Sequence, residues 1–232
     1  QLVGSASGEE TSPAVSGPNL FGFLTPEEDP EFGPIITGEK KSGAVTVSAG
    51  ASRHDEVATA FRILFDVDRA NGPLGAARYF ESVAQKNSEG ESYNREWLKR
   101  ANPVIVGFFS MTNTLPSDGD QTSWCAAFVN FCLYVASKRT TFSALSGSFR
   151  KYGEATSSPE PGDIVVFSKY GEDGKKGFGH VGFFVARSGS EVTVLGGNQR
   201  GTTGSTGAVT TANFPVEGKS LILASFRRVQ SI

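Results

Sequence analysis

The chain has 232 residues, with 22 basic and 24 acidic side chains and a formal net charge of -2 at pH 7. This length suits one large domain or two small ones, and a hydrophobic content of 38% is enough to form a buried core. The near-neutral charge does not favour nucleic acid or an anionic membrane as a partner. No apolar run approaches the roughly 18 residues that cross a bilayer, so we expect no membrane span.

The chain divides by composition into a tail and a folded domain. Residues 1–54 are rich in Gly, Ser, Pro and acidic residues, and their apolar residues occur as short islands without periodicity. Such a composition indicates a flexible or loosely docked tail, although the island around Phe21 could instead dock on the domain. We predict a domain over 55–232, with a helical N-terminal part over 55–115 and a core over 116–232.

The first half of the domain is dominated by apolar residues at helical spacing. Asp55 is a suitable N-cap for the first helix, and Asn71-Gly72-Pro73 is a typical break after it. The predicted helical segments are 55–67, 74–85, 93–101, a turn after Pro103, a helix that begins near Cys125, and 141–152.

After residue 160 the pattern changes to short apolar runs that are separated by turn residues. The predicted strands are 164–167, 180–186, 191–195 and 221–229, with loops over 169–179 and 200–213. Helices followed by an antiparallel meander predict an α+β fold, in which N-terminal helices pack on a central antiparallel sheet.

The segment Trp124-Cys125-Ala126-Ala127-Phe128-Val129-Asn130-Phe131-Cys132 is predicted as a buried helix that follows a polar turn. Cys125 then lies in the first turn, where unpaired backbone N–H groups favour a thiolate. The alternative is a small buried hydrophobic residue. Cys132 lies about 10 Å further along the helix, beyond the roughly 7 Å that a disulfide allows between Cα atoms.

His180 is the histidine that follows Cys125 in the sequence, and it stands at the start of a predicted strand. If this strand pairs with the next one, Asn198 comes close to His180 and can fix its tautomer. A cysteine on a helix, a histidine and an orienting amide form a workable site for nucleophilic catalysis. Two cysteines and two histidines are too few for a convincing zinc site, and we predict neither a metal nor a cofactor.

Four further residues are candidates for binding the substrate or its oxyanion. Gly179 and Gly197 would let a substrate backbone approach closely, or they serve turns and a bulge. The backbone N–H of Cys125 is the natural oxyanion donor, and Gln121 could add a side-chain donor. Trp124 either packs beneath the helix or lines the cleft.

Four sequence blocks occur together in this chain: WCAAFVN at 124–130, PGDIVVF at 161–167, GHVGF at 179–183 and VLGGNQ at 194–199. Taken together, they resemble the CHAP-type cysteine, histidine-dependent amidohydrolases/peptidases of the NlpC-like, papain-like group. They occur in the order of that family, and their joint occurrence is specific although each one alone is weak.

The resemblance implies a papain-like fold and the hydrolysis of amide bonds in peptidoglycan. By the same resemblance Cys125 corresponds to the nucleophile, His180 to the general base and Asn198 to the orienting residue. Many CHAP domains carry a Glu two residues before that Asn, where this chain has Gly196. The identity of the orienting group therefore stays open.

Three functions are compatible with these observations. The first is a peptidoglycan amidase or endopeptidase that acts on the peptide or glycopeptide of the wall. It would be extracytoplasmic or secreted, for wall remodelling, as a phage lysin or as an antibacterial effector, with an inhibitor or immunity protein as a second partner. The others are a papain-like protease or transferase acting on proteins, and a catalytically silent binding module.

Overall fold

The computed structural model describes residues 53–200 and 206–230. Of the predicted tail, all but Arg53 and His54 lies outside the described residues. The helices are α1 (His54–Phe65), α2 (Gly72–Glu81), α3 (Pro103–Phe108), α4 (Cys125–Val135) and α5 (Gly171–Lys175). The strands are β1 (Glu154–Thr156), β2 (Ile164–Lys169), β3 (Gly179–Ser188), β4 (Glu191–Gln199), β5 (Ala208–Pro215) and β6 (Leu221–Arg228). Short 3-10 helices occupy Phe109–Met111, Gly119–Gln121 and Ser146–Lys151.

The fold is α+β, as predicted, with α1 to α4 before one six-stranded antiparallel sheet in the order β1-β6-β2-β3-β4-β5. The rings of Phe167 on β2 and Phe214 on β5 lie 5.2 Å apart. Three strand spacings would separate β2 from β5 by roughly 14 Å in a flat sheet, so this sheet is curled. A bridge between Glu217 and Ile222 joins the end of β5 to the start of β6, which continues the curl.

The two faces of the curled sheet bury different sets of side chains. Alternate residues of β3, Val181 and Phe183, belong to the core that also contains the apolar residues of α4. Phe184 belongs to a second, smaller core on the other face of the sheet. Helix α4 is buried on nearly every side, which accounts for its almost uniformly apolar sequence. No helix in the described part of the chain is long and apolar enough to span a bilayer.

Two predicted helices are wrong because distant side chains bind their backbones instead. Segment 93–101 is irregular, and the backbone N–H of Trp97 donates to Oδ2 of the buried Asp120 at 2.9 Å. Of segment 141–152, only Ser146–Lys151 is helical, as a 3-10 helix. The buried Asn130 side chain on α4 accepts from the backbone N–H of Thr141 at 2.8 Å, and Phe142 has a positive φ of 53°, so no helix begins at Thr141.

The remaining differences concern the ends of elements, the short helix α5 inside the loop predicted over 169–179, and two strands that lack a clear pattern. Helix α1 begins at His54 after the N-cap Arg53, so Asp55 is in the first turn and is not the cap. Helix α2 ends at Glu81, four residues before the predicted end. The predicted loop over 200–213 contains most of β5, because pairing with β4 outweighs the weak strand pattern of its Thr-rich sequence. Strand β1, at the sheet edge, has three residues and was also not predicted.

Candidate active site

Cys125 is the first residue of α4 and is 6% exposed. The N-cap residue, Trp124, provides no side-chain hydrogen bond to the first turn. The first-turn N–H groups therefore receive no acceptor from the cap, and the positive end of the helix lies beside the Cys125 sulfur. Neither cysteine forms a disulfide, so the prediction that they do not pair with each other is confirmed. Cys132 is fully buried, and this burial raises the pKa of its thiol well above the usual value.

Trp124 is part of the core and not of a cleft wall, because its side chain is entirely buried. Its ring packs against Phe108 and Phe128. The indole N–H donates to Oε1 of Glu96 at 3.0 Å. Of the two roles that we considered for Trp124, the structure supports packing beneath the helix.

Glu96 is a buried carboxylate that was not predicted from the sequence. Besides the indole of Trp124, it binds the backbone N–H of Gly207 through Oε2 at 2.7 Å. The backbone N–H of Glu96 in turn donates to the carbonyl of Gly207 at 2.8 Å. Glu96 thus ties the start of α4 to the residue before β5. It lies in a segment that we predicted as a helix, and nothing in the local sequence indicates this role.

His180 is the second residue of β3, and its imidazole is almost completely buried. The ring stacks on Phe214, with centroids 5.0 Å apart and planes at 20°. Its Nε2 is 2.8 Å from Oε1 of Gln199. Burial lowers the pKa of His180 below its ordinary value, and the hydrogen bond with Gln199 only partly opposes this effect. The lowered pKa favours the neutral form of the imidazole.

Gln199 takes the place beside the imidazole that we expected Asn198 to take. The β4–β5 pairing shifts its register between Gly196 and Gln199, which changes the direction of the side chains there. Asn198 has a positive φ of 59°. Its side chain lies beside Gly207, with Oδ1 2.7 Å from the point where a Cβ on that glycine would stand. The hydrogen bond to His180 thus belongs to Gln199. The signal in the sequence was the polar residue that directly follows Asn198.

The two predicted substrate-binding glycines both lie where the backbone is closely packed. A Cβ on Gly197 would overlap the ring of Trp124 and stand 2.7 Å from Cβ of Phe128. A Cβ on Gly179 would overlap the carbonyl oxygen of Phe167 on the neighbouring strand. The packing accounts for both glycines, and their contact with a substrate stays a prediction.

Gln121 ends the 3-10 helix Gly119–Gln121, four residues before Cys125. Its side-chain Nε2 donates to Oδ1 of Asp120 at 3.3 Å. The other oxygen of Asp120 accepts from the backbone N–H groups of Trp97 and Asn102, each at 2.9 Å. Asp120 therefore anchors the turn that carries Gln121, whose role as an oxyanion donor stays a prediction.

The end of β4 is the point at which the parts of the candidate site converge. Gly197 lies against Trp124, the residue before Cys125, and Gln199 holds the imidazole of His180. Helix α4 also packs on both β3 and β4. A thiol at a helix start and a neutral, hydrogen-bonded imidazole are the groups that nucleophilic cysteine chemistry uses. Within residues 53–200 and 206–230, no group of three or more His, Cys, Asp or Glu side chains could hold a metal ion.

Residues 117–198 match the family model of the CHAP domain, and this confirms the resemblance that the sequence blocks indicate. The matched range includes Cys125, His180 and Asn198, and it ends one residue before Gln199. Neither the curated proteins nor the solved structures gave a match to this chain.

Proposed function

We propose that this chain, whose residues 117–198 match the CHAP domain, is a cysteine hydrolase that cleaves amide bonds in bacterial peptidoglycan. Domains of this family are generally amidases or peptidases, and either activity cleaves an amide bond. One observation carries the proposal. The matched segment places Cys125 at the first position of α4 and His180 near the start of β3. Helix α4 packs on strand β3, and both lie beside the end of β4.

In the proposed mechanism, His180 takes the proton of the Cys125 thiol, and the resulting thiolate attacks the carbonyl carbon of the scissile amide. The oxyanion that forms accepts a hydrogen bond from the Cys125 backbone N–H, at the positive end of α4. Protonated His180 then gives its proton to the leaving amine, and a thioester remains on Cys125. His180 next removes a proton from a water molecule, whose oxygen attacks the thioester. The carboxylic acid is released, and the Cys125 sulfur leaves and takes back the proton from His180.

A peptidoglycan substrate implies that the enzyme works outside the cytoplasm. The site of action would be the periplasm, the cell wall or the envelope of a target cell, after secretion. An antibacterial or wall-lytic role would also require an inhibitor or immunity protein as a partner, to protect the cell that makes the enzyme. The proposed site of action and the proposed partner both depend on the peptidoglycan substrate, and both are wrong if that substrate is wrong.

The test is mass spectrometry of the soluble fragments that purified peptidoglycan releases. Wild-type protein is compared with Cys125→Ala and with the matched control Cys132→Ala, which removes the other thiol of the same helix. We expect fragments from the wild type and the control, and a loss of at least about a thousandfold in Cys125→Ala. The fragment masses distinguish an amidase from an endopeptidase.

Two outcomes would contradict the proposal. Full activity of Cys125→Ala would refute the thioester mechanism. If no fragments appear from the wild type across several wall chemotypes, the substrate is wrong. An unfolded protein that is digested in the same experiment would then indicate a protease, and no digestion of either substrate would indicate a binding module.

A further inference from the structure

We propose that Gln199 is the positioning residue of His180. Its carboxamide oxygen holds the imidazole with the proton on Nε2, which leaves Nδ1 as the basic nitrogen. The catalytic meaning of this assignment rests on the proposed function, whereas the tautomer of His180 does not depend on any activity. Three observations support the assignment.

The first observation is that the Gln199 amide has a defined orientation. Its Nε2 donates one hydrogen bond to the carbonyl of Val194 at 3.2 Å and another to the carbonyl of Thr210 at 2.5 Å. If the amide were flipped, its oxygen would face these two carbonyl oxygens, and both bonds would be lost. Oxygen Oε1 must therefore face His180.

The second observation concerns the protons of the imidazole. An amide oxygen can only accept a hydrogen bond, so Nε2 of His180 must be the donor across the 2.8 Å separation. A neutral imidazole carries one N–H, and its other nitrogen, Nδ1, then has the free lone pair. The stacked ring of Phe214 also restricts the plane of the imidazole. Gln199 and Phe214 together fix both the tautomer and the orientation of the base.

The third observation is that Gly196 leaves the space that the Gln199 carboxamide fills. A Cβ on Gly196 would stand 2.5 Å from Oε1 and 3.1 Å from Cδ of Gln199. Gly196 does not have a positive φ, so its backbone conformation does not require glycine. The space therefore explains the glycine. A side chain at position 196 and the carboxamide of Gln199 compete for the same place beside His180.

The first test measures the tautomer directly by ¹⁵N NMR of the imidazole nitrogens at neutral pH. The chain contains two histidines, so the variant His54→Gln assigns the signals of His180. We expect a protonated Nε2 and an unprotonated Nδ1 in the wild type, and a mixture of tautomers in Gln199→Ala. In the matched variant Asn198→Ala, the neighbouring amide is removed and the tautomer should persist.

A wild-type protein with its proton on Nδ1 would overturn the proposal, even if Gln199→Ala fails to fold. The proposal is equally wrong if Asn198→Ala changes the tautomer and Gln199→Ala does not. Because this measurement needs no substrate, a protein that shows the expected tautomer but releases no wall fragments would contradict only the proposed function.

The second test moves the orienting group from position 199 to position 196. In the variant Gly196→Asn, the new Cβ would stand 2.5 Å from the position that Oε1 of Gln199 now occupies. This is about the distance between Cβ and Oδ1 within one asparagine, so the new Oδ1 can reach that position. With activity on peptidoglycan as the readout, we expect Gln199→Ala to lower kcat by up to about a hundredfold with little change in KM. The double variant Gln199→Ala/Gly196→Asn should recover most of kcat and the Nε2 proton.

Gly196→Asn alone provides the control for the second test. With Gln199 present, the new side chain is crowded against the carboxamide, so we expect a loss of kcat in this single variant. Recovery of kcat in the double variant then shows that a side chain at position 196 and the carboxamide of Gln199 can occupy the same place beside His180. A double variant that is as slow as Gln199→Ala, although folded, would overturn the proposed role of this place.

Discussion

The two thiols of α4 differ in their surroundings, and this difference should be visible in their reactivity. Cys132 is fully buried and burial raises the pKa of its thiol, so both access and ionisation oppose its reaction. Cys125 is at the helix start, where a thiolate is favoured. We predict that iodoacetamide labels only Cys125 in the native protein and both thiols in the unfolded protein, as counted by mass spectrometry. Native labelling that persists in Cys125→Ala would contradict this prediction.

Glu96 is the residue whose loss should weaken the start of α4 most directly. Both of its carboxylate oxygens accept from N–H donors, on Trp124 and Gly207. The amide in Glu96→Gln can accept from only one of them, which leaves the other donor unsatisfied. We predict a loss of about 1–3 kcal/mol in the free energy of unfolding, measured by urea denaturation. The exposed Glu191, changed to Gln, is the matched control and should lose far less.

Strand β4 can approach helix α4 closely only because residue 197 is glycine. A Cβ at this position would overlap Trp124, which is itself fixed by the core around it. We predict that Gly197→Ala forces the strand and the helix apart, at a cost of about 1–3 kcal/mol in unfolding free energy and with a lower kcat. A melting temperature equal to that of the wild type would contradict this close approach.

The elements that could be predicted from the sequence are those with a strong pattern of their own. Helix α4 and strands β2 and β3 contain apolar runs, and their burial follows from these runs. Strand β6 also begins with an apolar run, but Phe226 is its only buried residue. Segments 93–101 and 141–152 could not be predicted correctly, because the side chains that bind their backbones, Asp120 and Asn130, lie elsewhere in the chain.

The same distinction applies within the candidate site. Cys125 and His180 could be selected from the sequence because of their residue types and the blocks around them. Gln199 could not be preferred over Asn198, because a register shift between Gly196 and Gln199 decides which side chain turns towards the imidazole. Such a shift depends on the pairing of β4 with β5, and the sequence of β4 alone does not contain it.

For the molecule as a whole, the buried His180 couples stability to pH. Burial lowers the pKa of His180 in the folded state below the value of about 6.5 in the unfolded chain. As the pH falls below about 6.5, the unfolded chain therefore takes up a proton that the folded protein does not. Stability should decrease from pH 7 towards pH 5, by at most about 1.4 kcal/mol per pH unit from this group.

The variant His180→Gln isolates this contribution, because the carboxylates that titrate at low pH are the same in both proteins. We predict that the unfolding free energy of the wild type falls more steeply between pH 7 and pH 5 than that of the variant. Parallel curves for the two proteins would mean that His180 takes up its proton in the folded state as readily as in the unfolded chain.

The position of both cysteines on one rigid helix has a consequence for oxidative damage. A sulfenic acid on a reactive cysteine is usually rescued by a second thiol, which converts it to a disulfide. The chain has only two cysteines, and their separation along α4 puts them roughly 10 Å apart. Cys132 therefore cannot rescue Cys125. Repair requires a thiol from another molecule. Without such a thiol, peroxide would oxidise Cys125 further, to the irreversible sulfinic acid.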